Sequence, residues 1–207
     1  MNIPVEHPAP TCELDRMALD EVAKRCRLGE PVTTLAIGVG AIEQAGRFGA
    51  GGALSTLAIP VGAAALPPCA GLRQARFDLV TAPELSPLLG EPYDVIVCQR
   101  VLHSLPYEHA RLAIRRLHRL LKIGGKLFLS VYGLHSELGD NYPDSEKLVA
   151  DRFAGLPPEI AQRYDIHGPA CLYSERNLFT LLFEAGACIV TTSTSTLGNV
   201  RAVTVRI

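Results

Sequence analysis

The spacing of hydrophobic positions changes several times along the chain, and each change marks a new element. Leu14, Met17, Ala18, Val22 and Cys26 recur at helical spacing between charged positions, so a helix is expected over 13–27, ended by Gly29 and Pro31. Residues 33–37 form a short apolar, β-branched run that passes into Gly38-Val39-Gly40, the pattern of a buried strand entering a glycine-rich turn. Residues 54–59 read as a second strand, and 76–81, with Phe77, Leu79 and Val80, as a short third one. Over 93–98 the polar alternation disappears: Val95, Ile96 and Val97 are continuous, as in a central parallel strand covered by helices on both faces.

The helical period returns over 108–122, where Ala110, Ala113, Ile114, Leu117, Leu120 and Leu121 make one stripe and arginines crowd the other side, until Gly124-Gly125. Residues 126–132 are again strand-like, so strand, helix and strand follow within about 40 residues, the length of a right-handed parallel crossover. Residues 133–170 lose all periodicity and read as a long loop or cap with a short helix near 146–152; insertions of this kind are often functional. Ser174 then caps a helix with Leu178, Leu181, Leu182 and Ala185 inside and Gly186 as its stop. Strands over 188–192 and 200–207 flank the Gly198-Asn199 turn, which predicts an antiparallel hairpin closing the sheet.

Composition narrows what such a fold does. The chain has 207 residues, 48% of them hydrophobic, which suits one domain over 1–207 with 133–170 as an insertion within it. Lys plus Arg number 20 against 21 for Asp plus Glu, so no long-range field draws in nucleic acid or an acidic membrane. The N-terminal segment lacks the basic and apolar regions of a secretory signal, and the most apolar window, 53–72, is broken by glycines and prolines. Six cysteines without CxxC or zinc-ligand spacing read as reduced thiols, and no metal is expected. A cytoplasmic protein is the expectation.

Three segments in this order resemble class I S-adenosylmethionine-dependent methyltransferases of the small-molecule type: YDVIVCQRVLHSLP at 93–106, LHRLLKIGGKLFLSVYG at 117–133, and LYSERNLFTLLFEAG with the terminal hairpin. The resemblance spans roughly 32–207 and implies a Rossmann-like, doubly wound, mostly parallel α/β sheet ending in an antiparallel hairpin. It also implies an open backbone shelf at residues 38–40, where S-adenosylmethionine lies against strand ends and a side chain would block it. By that likeness the cofactor-binding candidates are Gly38, Val39, Gly40, Ile59, Pro60, Thr81, Ala82, Cys98, Gln99 and Arg100.

The family's acidic positions are altered here. Ala36 stands beside the glycines, Leu57-Ala58-Ile59-Pro60 ends the second strand without a carboxylate, and the third position falls on Thr81-Ala82 or Glu84. Each lost charged hydrogen bond costs about 1.5 to 3 kcal/mol, so two would weaken cofactor binding by roughly a hundredfold or more. Two functions therefore stay open: a methyltransferase acting on a small-molecule acceptor, or an inactive methyltransferase-like module that binds a partner or metabolite. A nicotinamide oxidoreductase is disfavoured, because Glu43 occupies the third glycine of GxGxxG. If the chain is an enzyme, His103, Tyr107, Tyr132 and His135 are the side chains expected to face the acceptor.

Overall fold

The computed structural model describes residues 12–60, 72–77, 79 and 92–207. Strands β1 (Thr33–Gly38), β2 (Leu54–Pro60), β3 (Leu72–Phe77), β4 (Tyr93–Gln99) and β5 (Leu121–Val131) run parallel, and β8 (Cys188–Thr194) and β9 (Val200–Val205) complete a seven-stranded sheet. The order is β3-β2-β1-β4-β5-β9-β8, with β9 antiparallel to both neighbours. This is the expected mostly parallel α/β sheet closed by a hairpin. The order reverses between β1 and β4, and in open α/β sheets ligands bind beyond the strand ends at such a switch point.

Helices α1 (Glu13–Cys26) and α2 (Ala41–Ala50) cover one face, while α3 (Tyr107–Leu120) and α5 (Glu175–Glu184) cover the other. Successive residues of β4 serve opposite layers: Val95 and Val97 pack with Leu14, Val22 and Phe48, whereas Ile96 and Cys98 pack with Ile114, Leu117 and Leu181. Burial on both sides explains why this strand shows no polar alternation. Ser174 caps α5 by accepting from the Asn177 N–H at 3.2 Å, and Gly186 follows at φ +79°, as its sequence context predicts.

Some boundaries differ. The third strand, expected over 76–81, covers 72–77 among the described residues, and 78, 80 and 81 lie outside them; being at the sheet edge, it alternates buried Ala75 and Phe77 with more exposed residues, so its pattern is weak. Helix α3 ends at Leu120 because Leu121, fully buried, joins the ladder opposite Tyr93. Helix α2, absent from the sequence reading, is short and rich in Ala and Gly. In place of a helix near 146–152 there is a 3₁₀ turn over Val149–Asp151, and α4 (Pro158–Arg163) forms further on.

Residues 133–170 make a lobe with their own apolar cluster, Leu138, Tyr142, Leu156, Ile166 and Ala170, and a two-stranded ribbon, β6 (Ala154–Gly155) with β7 (Pro169–Ala170). The aspartate of the 93–106 segment, Asp94, lies at the far end of the sheet from the switch point. There it accepts from the Thr33 N–H at 2.8 Å and from Lys122 Nζ at 2.7 Å, which marks it as a structural clamp. Among the described residues no helix is long and apolar enough to cross a membrane.

Candidate functional site

The turn after β1 shows why glycine is required. Gly38 pairs with Gln99 and has φ +92°, and a Cβ there would lie 2.1 Å from the Gln99 carbonyl oxygen and 2.4 Å from Val101 Cγ2. Only a residue without a side chain lets β1 and β4 approach this closely. Gly40, at φ +73°, precedes α2 and borders open space.

Beyond this turn lies a cavity of about 540 Å³, lined by the ends of β1, β2 and β3 and by the segment after β4. Its walls are mainly apolar: Ile37, Ala58, Pro60, Phe77, Leu79, Val101 and Leu105, with the Gly38-Val39 backbone along one side. Among the described residues its polar side chains are Arg100, His103 and Ser104. A second cavity, about 350 Å³, lies between the 133–170 lobe and the β8–β9 turn, and Arg100 lines both. Tyr132, His135, Glu137 and Tyr164 face it, with Leu197 and Asn199 from the hairpin.

The two parts of the second cavity are pressed together. A Cβ on Gly133 would meet the Gly198 carbonyl oxygen at 1.7 Å, and one on Gly198 would meet Ser136 at 2.7 Å. The lobe is also stitched to the sheet: Leu134 N–H donates to the Tyr173 carbonyl at 2.8 Å and Tyr173 N–H to the Tyr132 carbonyl at 3.1 Å.

Arg100 joins the cavities in an unusual conformation. Its φ of +49° is rare for a residue with a side chain and costs on the order of 1 kcal/mol or more, so the surrounding structure must impose it. Its N–H donates to the Ser130 carbonyl at 2.8 Å, and its guanidinium carbon sits 5.9 Å from the centre of the Tyr132 ring. Among the described residues no carboxylate pairs with it, although Arg25, Arg47, Arg111, Arg163 and Arg201 all have one. Glu137, the carboxylate of the second cavity, is bound instead by Arg163 and by the Tyr164 hydroxyl at 2.7 Å.

His103 lies edge-on to Tyr132, with ring centres 4.6 Å apart, and its Nδ1 is buried without a hydrogen-bond partner of good geometry. Burial, and then the Arg100 charge, push its pKa down to about 4. The imidazole is neutral at physiological pH and holds a proton poorly. Because the unfolded chain protonates this ring near pH 6.5, the buried neutral form contributes stability above that pH, and the contribution is lost as pH falls toward 4. A loss of about 2–3 kcal/mol is expected over this window, and H103Q should flatten the slope of unfolding free energy against pH. His118, depressed by burial and Arg206, leaves some slope of the same sign.

Of the expected cofactor residues, Gly38, Val39, Pro60 and Arg100 line the first cavity. Ile59 instead packs with Ala36, Ala41, Ala45 and Leu57 under α2, which sets Ala36, just before the glycine turn, in an apolar cluster. Cys98 is fully buried in the core, and burial pushes its thiol up to about 12. Gln99 turns away from the cavity and donates to Asp15 Oδ1 of α1 at 2.5 Å. In each case the strand pleat sends the side chain into a packed layer. Thr81 and Ala82 lie outside the described residues.

Of the acceptor-facing candidates, His103 lines the first cavity and Tyr132 and His135 the second. Tyr107 lines neither; its hydroxyl donates to Glu184 at 2.7 Å and ties α3 to α5. Sequence reading missed Phe77, Leu79, Val101 and Leu105 on the first wall and Glu137, Tyr164 and the hairpin tip on the second. The available signal was position: each of these lies at or beyond the end of a strand or inside the aperiodic insertion.

Comparison with known proteins gives a family match: residues 26–129 fit the model described as "Methyltransferase domain". A 99-residue stretch is 32% identical to a highly reducing polyketide synthase, lcsB, of Purpureocillium lilacinum, covering 41% of this chain and 4% of that protein. Among solved structures, an O-methyltransferase family protein from Burkholderia thailandensis matches at TM-score 0.55 and 15% identity over 93% of this chain and 56% of its own. The 1,6-didemethyltoxoflavin-N1-methyltransferase of the same organism, crystallised with 1,6-didemethyltoxoflavin and S-adenosylhomocysteine, matches at TM-score 0.58 and 16% identity over 100% of this chain and 93% of its own.

Proposed function

The chain belongs to the methyltransferase domain family, and from that membership we propose that it transfers a methyl group from S-adenosylmethionine to a small-molecule acceptor. The observation that carries this reading is the pair of cavities meeting at Arg100, one at the sheet's switch point and the other beneath the insertion.

The first cavity suits the cofactor by shape. At about 540 Å³ it falls within the usual range of small-molecule sites, and the Gly38-Val39 backbone leaves a face open to a nucleoside. Ile37, Ala58, Phe77, Leu79 and Leu105 would enclose the purine and the carbon chain. Since no carboxylate lines this cavity among the described residues, main-chain groups of the turn would take over much of the polar recognition. When bound, S-adenosylmethionine supplies an electrophilic methyl group; the acceptor's lone pair takes the carbon while the carbon–sulfur bonding pair stays on sulfur. The contribution of this chain to such a step is position, because the reacting atoms must be held about 3–3.5 Å apart.

A small-molecule acceptor is supported by the size of the second cavity and by the 1,6-didemethyltoxoflavin-N1-methyltransferase of similar fold. Titration calorimetry and thermal unfolding with S-adenosylhomocysteine test the reading directly. Saturating ligand should raise the melting temperature by several degrees, since occupancy a hundredfold above Kd stabilises by about 2.7 kcal/mol. Neither heat nor a thermal shift at millimolar ligand would leave the scaffold as a module for another ligand.

A further inference from the structure

We propose that the second cavity takes its acceptor as an anion: a planar molecule with an ionised oxygen, set against Tyr132 and Tyr164, with the Arg100 guanidinium as its counter-ion. The inference deepens the methyltransferase reading and rests on it.

Three observations converge on this class. Arg100 is the cation common to both cavities, and it has no carboxylate partner among the described residues. The Glu137 carboxylate would repel an anion, but it is paired with Arg163 and accepts from the Tyr164 hydroxyl, leaving Arg100 as the cation without a carboxylate partner among the described residues. The tyrosine rings, 6.4 Å apart between centres and inclined at 69°, offer aromatic surface suited to a flat ligand rather than to a flexible chain. A cation half-enclosed by low-dielectric walls attracts an anion more strongly than the same cation in water.

The chemistry points the same way. A neutral hydroxyl must lose its proton as its oxygen is methylated, and His103, the imidazole at this junction, is made too weak a base for that by burial and by Arg100. An acceptor that arrives ionised needs no base. Its oxygen lone pair forms the new O–CH₃ bond, the S–CH₃ bond breaks with its pair left on sulfur, and both products are neutral at the reacting atoms. Arg100 lowers the pKa of the bound acceptor, at a modest cost in nucleophilicity.

The test uses 4-nitrophenol, whose anion absorbs visible light, and its neutral methyl ether, 4-nitroanisole, with the full chain and saturating S-adenosylhomocysteine. We expect the bound phenol to ionise about 1 pH unit below the free one, and the anion to bind about tenfold more tightly than the ether. In R100Q both differences should vanish while the far-UV dichroism and melting profile are kept. Y164L, which alters the second cavity alone, should weaken phenolate binding about tenfold and leave the affinity for S-adenosylhomocysteine unchanged.

A bound phenol with unshifted ionisation, or a shift that survives in R100Q, overturns the proposal and leaves the methyltransferase reading intact. If R100Q loses only affinity for S-adenosylhomocysteine, Arg100 serves the cofactor's carboxylate and the proposal is again overturned. An Arg100-dependent shift in a protein that binds no S-adenosylhomocysteine refutes the acceptor role together with the reading beneath it.

Discussion

Replacing Arg152 with leucine is expected to detach the 133–170 lobe and to lower unfolding free energy by about 3–5 kcal/mol. Arg152 is 5% exposed and spends its guanidinium inside the lobe. Nε donates to the Asp144 carbonyl at 3.2 Å; Nη1 donates to the Leu172 carbonyl at 2.8 Å and to Asn177 Oδ1 at 3.0 Å; Nη2 donates to the carbonyls of Ser145 and Lys147 at 3.3 and 2.7 Å. One side chain thus joins the turn at 144–147, the segment between β7 and α5, and Asn177 in the first turn of α5. Leucine fills part of the volume but leaves these acceptors without a donor, at about 1–3 kcal/mol for each that water cannot reach. Arg152→Lys keeps the charge yet cannot reach so many partners, and should recover less than half the loss. Denaturant unfolding measures the free energy, and limited proteolysis between 134 and 170 reports the lobe. Phenolate binding should disappear well before the sheet melts. An unchanged midpoint with a protease-resistant lobe would show that water already satisfies these carbonyls.

The second large effect is expected at Gly38→Ala. A methyl group there collides with the Gln99 backbone at 2.1 Å, and the φ of +92° is unfavourable for alanine in any case. The neighbour is main chain of the adjacent strand, so relief requires β1 and β4 to separate where they pair. Overpacking of about 1–3 kcal/mol and left-handed strain of about 1–2 kcal/mol together predict a destabilisation of several kcal/mol. Because Gly38, Val39 and Val101 also line the first cavity, affinity for S-adenosylhomocysteine should fall more than a hundredfold. Gly40→Ala is the control. Among the described residues its Cβ meets no atom within 4 Å, so backbone strain alone should cost about 1 kcal/mol, and ligand affinity should fall far less. Equal losses from the two substitutions would show that the turn matters only for its flexibility.

Both substitutions act through contacts between segments distant in sequence, and this marks the boundary of what residue patterns carry. Continuous apolar residues at 95–97 announced a strand buried on two faces, and β4 is central in the sheet. Ser174 and Gly186 announced the ends of α5, because capping is settled within a few residues. The polar edge strand β3 and the short helix α2 were faint, since their periodicity is diluted by neighbours that tertiary packing selects.

At the site, the strand-end glycines and the Arg100–His103 segment were legible as a place. Their roles were not. The motif put Cys98, Gln99 and Arg100 side by side, but the pleat buries the first two and only a left-handed backbone turns the third toward the cavities. Tyr107 and Tyr132 looked equivalent in sequence, yet one binds Glu184 between helices and the other faces the second cavity.

The sequence by itself determined the alternation of elements, the parallel sheet with its closing hairpin, and the glycine turn. These follow from local propensity and from which faces must be buried. Only the tertiary structure decided that Gly133 and Gly198 meet, that Arg163 pairs with Glu137, and that Arg100 lines two cavities with no carboxylate partner among the described residues. Such facts depend on distances between residues far apart in the chain, and burial patterns constrain which side a residue faces without specifying what it meets there.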